Sequence, residues 1–162
     1  LFSVGCGGSS GGSEDSFVGA GLVAIRAEPR RIDIGDRMRV TAQLEQVHPD
    51  GILLKFRLPL VLEYVPGTAE ILSNRVSLSL EPQVDAQQGS VRYLVFFLAQ
   101  EEFDRDRRGD VRFELRSTGR LTRGRIEVDV DINDPFVEDE AEFVLEFPEF
   151  EAEDSVQVEV VS

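Results

Sequence analysis

The chain has little of what enzymatic and metal chemistry most often draws on. Its 162 residues hold one cysteine, Cys6, and one histidine, His48. A single thiol excludes an intrachain disulfide and any CxxC redox or metal site within these residues. A single imidazole makes a zinc centre or a histidine-based triad hard to build, and no Cys-His, Ser-His-Asp or HExxH arrangement is present. His48 lies in the turn sequence His48-Pro49-Asp50-Gly51 and is expected at the surface rather than as a general base. Tryptophan is absent, which removes the residue that sugar-binding sandwiches often use for stacking. No apolar run approaches the roughly 18 residues that a membrane-crossing helix needs. Lysine occurs once, at Lys55, and arginine supplies the remaining positive charge.

What the chain has in excess is acid, unevenly placed. The net charge is −14. Up to Arg125, 17 acids face 17 bases and cancel; from Ile126 to Ser162 there are 14 acids and no base. Such a segment repels nucleic acid and anionic lipid and attracts cations or basic proteins. The plainer expectation is a solvated, solubilising surface. Glycosidase chemistry needs two carboxylates at a defined separation, and so acidic a chain contains many pairs, which discriminates nothing.

The apolar residues follow a period of two. Met38, Val40, Ala42 and Leu44 alternate with Arg37, Arg39, Thr41, Gln43 and Glu45; Ile126, Val128, Val130 and Ile132 alternate with Glu127, Asp129, Asp131 and Asn133; Val156, Val158 and Val160 alternate with Ser155, Gln157 and Glu159. Each run describes a strand with one face in a core and one in water. Further strands are expected at 22–27, 52–58, 61–65, 76–80, 91–98, 111–117 and 142–147, separated by turn signals such as Ile34-Gly35-Asp36, Pro66-Gly67 and Gly89-Ser90. Val95-Phe96-Phe97-Leu98 is apolar on both faces and belongs in a central strand. Leu98 to Phe103 has material for one helical turn. Nine or ten strands with such punctuation predict an all-β, antiparallel β-sandwich.

Residues 25–72 contain Leu58-Pro59-Leu60-Val61-Leu62-Glu63-Tyr64-Val65-Pro66-Gly67-Thr68-Ala69, preceded by a Gly-Asp turn and a strand of alternating hydrophobics. This segment resembles the bacterial conserved-repeat domains of envelope and surface proteins. It departs from them at His48-Pro49-Asp50-Gly51, where an Asn-Gly or Asn-Thr-Gly is usual. The resemblance implies an immunoglobulin-like sandwich in an extracytoplasmic role, and it implies no catalytic residues.

The first residues carry an address. Ser3-Val4-Gly5-Cys6 is similar to a lipobox, the cleavage and acylation signal of bacterial lipoproteins; Val4 and Gly5 fit the pattern, and Ser3 stands where Leu is usual. Residues 1–6 are therefore expected to be the remnant of a lipoprotein signal ending in a lipidated Cys6. Residues 7–21, mostly Gly, Ser and acid, form a flexible tether, and residues 22–162 form one sandwich domain. Acylation of Cys6 with several chains supplies stable anchoring, which a single chain does not.

Two further motifs hold candidate ligands. Asp129-Val130-Asp131-Ile132-Asn133-Asp134-Pro135, followed by Glu138-Asp139-Glu140, has the alternating oxygens that calcium takes. The ligand set for a calcium ion is Asp131, Asn133, Asp134, Glu138 and Asp139; against it, the strand alternation makes Asp129 and Asp131 neighbours on an exposed, solvated face. Phe103 to Asp110 reads as a self-paired polar turn, and its Arg108-Gly109-Asp110 is too short a match to an integrin-binding tripeptide to carry function. The expectation is a non-catalytic interaction or structural module, membrane-anchored in the bacterial envelope on the periplasmic or outer face, with an unidentified protein partner. A calcium-dependent adhesive domain and a carbohydrate-active enzyme are the alternatives.

Overall fold

The computed structural model describes residues 19–74, 77–132 and 150–162. Cys6, most of the tether, four of the five calcium candidates (Asn133, Asp134, Glu138 and Asp139) and the strand expected at 142–147 lie outside the described residues.

Twelve strands and one short 3₁₀ turn make up the described chain. In chain order they are β1 (Leu22–Glu28), β2 (Arg31–Asp33), β3 (Arg37–Glu45), β4 (Ile52–Pro59), β5 (Leu62–Tyr64), β6 (Glu70–Leu72), β7 (Ser77–Ser79), β8 (Val84–Gln88), β9 (Val91–Leu98), β10 (Gly109–Ser117), β11 (Leu121–Ile132) and β12 (Asp154–Val161). The 3₁₀ turn, Gln100–Glu102, falls where a single helical turn is expected. The strands form two sheets: β2-β12-β11-β4-β9-β8, and β1-β3-β10-β6-β7 with β5 also on β10. Every pair is antiparallel except β12 with β2.

The sandwich follows from the alternation. In β3, Met38, Val40, Ala42 and Leu44 are buried while Arg37, Arg39 and Gln43 face water. Opposite them, β4 contributes Ile52, Leu54, Phe56 and Leu58, all buried. An aromatic cluster joins the two sheets through their middles. Phe56 of β4 meets Phe113 of β10 edge to face at 4.8 Å, and Phe96 of β9 lies 5.8 Å from Phe113. Such pairs contribute about 0.5–1.5 kcal/mol each beyond the burial of their area.

The outer face of the β1-containing sheet is a lattice of opposite charges. Arg37 pairs with Glu114 at 3.0 Å, and Arg112 with Glu70 at 2.6 Å, both across neighbouring strands. Much of the cancellation between acids and bases before Arg125 is therefore local.

Turns sit where glycine permits them. In Val65-Pro66-Gly67-Thr68, Gly67 has φ +82° and the Thr68 N–H donates to the Val65 carbonyl, the geometry of a type II turn. At Gly51, φ +88°, an added Cβ would stand 2.7 Å from the Leu98 carbonyl oxygen, so that turn also requires the close approach that only glycine allows.

The differences from expectation have clear causes. Strands β2 and β6 are three residues long, too short to show a period. Strand β8, Val-Asp-Ala-Gln-Gln, is a polar edge strand with only Val84 buried. Strand β11 begins at Leu121 rather than Ile126 because a bulge between Leu121 and Gly124 absorbs the polar Leu-Thr-Arg-Gly stretch. At the start of the described chain, Ala20 is already buried and its carbonyl accepts the His48 N–H at 2.9 Å.

Candidate functional site

The apolar run Ile52-Leu53-Leu54-Lys55-Phe56-Arg57-Leu58 is interrupted twice by charge, and those interruptions organise the outer face of the β2-containing sheet. Strand β4 is central, between β9 and β11. Its inner residues meet the core, while Leu53, Lys55 and Arg57 point the other way. Register sets the pairs: Lys55 stands opposite Asp129 on β11 and Val95 on β9, and Arg57 opposite Glu127 and Tyr93.

Lys55 is fully buried. Its Nζ lies 3.2 Å from Asp129 Oδ2 and in direct contact with Asp131 Oδ2. An unpaired ammonium at such a site costs several kcal/mol in desolvation, and two carboxylates offset it. Asp129 is itself buried and also accepts the Glu151 N–H at 3.1 Å. Two residues along the same strand face, Arg57 forms a bidentate pair with Glu127, both contacts at 2.9 Å. The Glu127 hydrogen bond, opposed by burial, holds the guanidinium above its ordinary range. The Phe150 ring stacks on it at 4.5 Å and lies 6.0 Å from the Tyr93 ring.

Residues 150–154 thus run beside this charged strip, hydrogen-bonded to β11. The Glu153 N–H donates to the Val128 carbonyl and its carboxylate accepts the Val130 N–H at 3.4 Å. Partial burial first, then Asp129 and Asp131, push the Glu153 carboxyl up to about 7, against an ordinary 4.5. At the next residue, Asp154 Oδ2 accepts the Ile25 N–H at 2.8 Å, tying β1 of the opposite sheet to the same strap.

This placement corrects one expectation. Asp129 is not on a solvated face: it is buried against Lys55, and Asp131, though half exposed, is engaged by the same ammonium. The alternation predicted that the two carboxylates share a face, and they do; it did not predict that a lysine on the next strand would take both. A calcium ion at Asp131, Asn133, Asp134, Glu138 and Asp139 would have to draw Asp131 from Lys55. Among the described residues, no group of three or more His, Cys, Asp or Glu side chains is arranged to hold a metal ion.

The remaining candidates resolve individually. His48 lies in a turn closed by Gly51 N–H to its own carbonyl, and its Nδ1 accepts the Asp50 N–H at 3.1 Å. It is mostly buried rather than open. In the Asp104–Asp110 segment, Asp106 pairs loosely with Arg108 at 3.8 Å, while Asp104 turns inward and accepts the Asn74 N–H at 2.5 Å. Gly109 and Asp110 already belong to β10, so Arg108-Gly109-Asp110 is not a projecting loop. Lys55, Arg57 and Glu153 were not singled out from the sequence. The available signal was the position of the only lysine inside an otherwise apolar strand.

Two packed sheets, cross-strand charge pairs and an aromatic core make this an immunoglobulin-like, all-β sandwich. Among solved structures it is similar in fold to the N-terminal domain of the Streptococcus gordonii adhesin Sgo0707, at 10% identity and a TM-score of 0.52 over 86% of this chain and 32% of that one. It is similar also to the T6 backbone pilin of serotype M6 Streptococcus pyogenes, at 5% identity and a TM-score of 0.50 over 86% of this chain and 36% of the pilin. A cohesin module from a Clostridium perfringens family 33 glycoside hydrolase aligns at 15% identity over 88% of this chain and 98% of its own, with a TM-score of 0.44, too low to carry argument. The chain spans about a third of the adhesin and pilin chains, and at these identities the likeness shows the fold alone. No family model matches the chain, and no curated protein sequence does either, so the conserved-repeat resemblance rests on its own motif.

Replacing Lys55 by Met leaves Asp129 buried without its cation, and is expected to lower unfolding free energy by about 3–5 kcal/mol. The double variant Lys55→Met/Asp129→Leu is expected to recover most of that loss; denaturant unfolding of both variants measures it. Glu153 has a second signature. Its folded carboxyl titrates near 7 against 4.5, so its contribution to stability is intact below 4.5 and is lost as pH rises through 7. Thermal melts of the wild type between these pH values are expected to fall more steeply than those of Glu153→Gln.

Proposed function

We propose that this chain is the anchored sandwich of a bacterial envelope lipoprotein: a non-catalytic module held at a membrane through acylated Cys6, on the periplasmic or outer face, and presented to a protein partner by the tether at 7–21. The observation that carries the non-catalytic part is the use of the charged groups on the β2-containing sheet. Lys55, Arg57, Glu127 and Asp129 are engaged with one another across strands, and that arrangement serves construction, not turnover. The fold likeness to a domain of an adhesin and to a backbone pilin supports the envelope reading. Ser3-Val4-Gly5-Cys6 followed directly by Gly and Ser supports the anchor, because a lipid-held domain needs a flexible spacer.

Two exposed edges support a strand-adding contact with such a partner. Edge strand β7 has all three residues exposed, with Leu78 among them, and edge strand β8 exposes Asp85, Gln87 and Gln88. Such edges accept an added strand.

Expressed with its leader in a bacterial envelope, the wild-type protein is expected to incorporate labelled fatty acid and enter the detergent phase on Triton X-114 partition. Cys6→Ser is expected to do neither while melting at an unchanged temperature. A wild-type protein that stays in the aqueous phase without label would overturn the anchor.

A further inference from the structure

The acid-rich chain keeps a cationic cleft at the end of the sheet remote from Lys55. A cleft of about 310 Å³ is lined by Arg30, Arg31, Arg123, Gln157, Val158 and Glu159. Its construction is specific. Strand β12 forms the floor through buried Val158, and the two flanking elements bring arginines over it from opposite sides. On one side Arg31 of β2 stands in register with Glu159, and the Glu159 N–H donates to the Arg30 carbonyl at 2.8 Å. On the other, the β11 bulge places Arg123 between the pairs Leu121–Val160 and Gly124–Val158.

Two observations set this cleft apart from the mixed-sign lattice on the other sheet. First, among the described residues the only acid lining it, Glu159, is met by Arg31 at 3.6 Å. The Arg30 and Arg123 side chains have no ion-pair or hydrogen-bond partner among the described residues, in a chain with 31 acids for 17 bases. Second, Arg123 adopts φ +56°, the left-handed region that non-glycine residues enter uncommonly and at a cost. A bulge re-aims the side chain it carries. Here it turns a long cation toward a cleft already holding two others.

We infer that this cleft is a binding site for a tetrahedral oxyanion, a phosphate or sulfate group, held by Arg30 and Arg123 with Arg31 and the Gln157 amide beside them. Two guanidinium groups without an acid partner among the described residues match a doubly charged oxyanion better than a carboxylate, and each offers parallel N–H donors to adjacent oxygens. Glu159 opposes the anion, so the site is built to hold it loosely and to release it. The inference is independent of the lipid anchor. The same group on a free ion, a glycan or a lipid headgroup satisfies the same chemistry.

The test is an NMR titration of the purified chain with sodium phosphate and sodium sulfate at constant ionic strength, following arginine Nε–Hε signals. Saturable shifts at Arg30, Arg31 and Arg123 are expected, with a dissociation constant on the order of millimolar for so exposed a site. Arg30→Gln/Arg123→Gln is expected to weaken binding at least about tenfold, the ordinary worth of a charge-assisted hydrogen bond. Glu159→Gln is expected to tighten it, and Arg105→Gln, in a distant turn, to leave it unchanged. The four arginines are exposed and Glu159 is partly so, and thermal melts confirm that each variant folds. Non-saturating shifts, or equal losses from Arg105→Gln, would overturn the site in favour of diffuse electrostatics. Phosphatidylglycerol vesicles form the second arm. Binding to vesicles with no response to phosphate or sulfate contradicts the inference; response to both identifies a headgroup as one source.

Discussion

A single buried ammonium constrains half of this molecule. Lys55 sits in the central strand of its sheet with no exposure to solvent, and an ion there is tolerable only while its partners stay in place. Those partners, Asp129 and Asp131, belong to β11, so the register of β4 against β11 is set by charge as well as by the core. A slip of one residue would turn Lys55 toward the aromatic cluster and send Phe56 outward. The strap at 150–154 is hydrogen-bonded to the same stretch of β11, and Asp154 carries the connection on to β1 of the other sheet. One interaction therefore links strand order, strap and sheet-to-sheet attachment.

The same interaction changes how the acidic end of the chain is understood. Between Ile126 and Ser162 there are 14 acids and no base, which in isolation describes a uniform negative surface. In the fold, Glu127, Asp129 and Asp131 are matched by Arg57 and Lys55 across the strand boundary, and Glu159 by Arg31. Charge that is segregated along the sequence is partly reconciled across the sheet. Among the described residues, Arg30 and Arg123 stand over the cleft at one end of β12 without an ion-pair partner, and the carboxyl of Glu153 lies beside Asp129 and Asp131 at the opposite end.

The architecture was readable because its strands are long enough to show a period. Met38 to Leu44 and Ile126 to Ile132 point their apolar residues inward as the alternation requires, and Pro59 and Gly67 end and turn the chain where their backbone chemistry says they must. Strands β2 and β6, three residues each, and the polar edge β8 carry no period and were not legible, whereas the equally short β5 and β7 fall inside the runs expected at 61–65 and 76–80. The charge cluster was hidden for a different reason. Alternation assigns a residue to a face but does not say whether that face is wet, and Asp129 was placed in water on the strength of that silence. The run Ile52 to Leu58 held the missing information, since a strand apolar on both sides predicts that a lysine within it is buried too.

Lys55 is a structural cation, sealed and paired in the native state. Because it is the only lysine, one measurement addresses it directly: modification of the native chain by an amine-reactive acylating reagent, mapped by peptide mass spectrometry. Lys55 is expected to remain unmodified while the protein is folded and to react readily once denaturant unfolds it. Rapid acylation of Lys55 in the folded protein, with the melting temperature unchanged afterwards, would contradict that sealing.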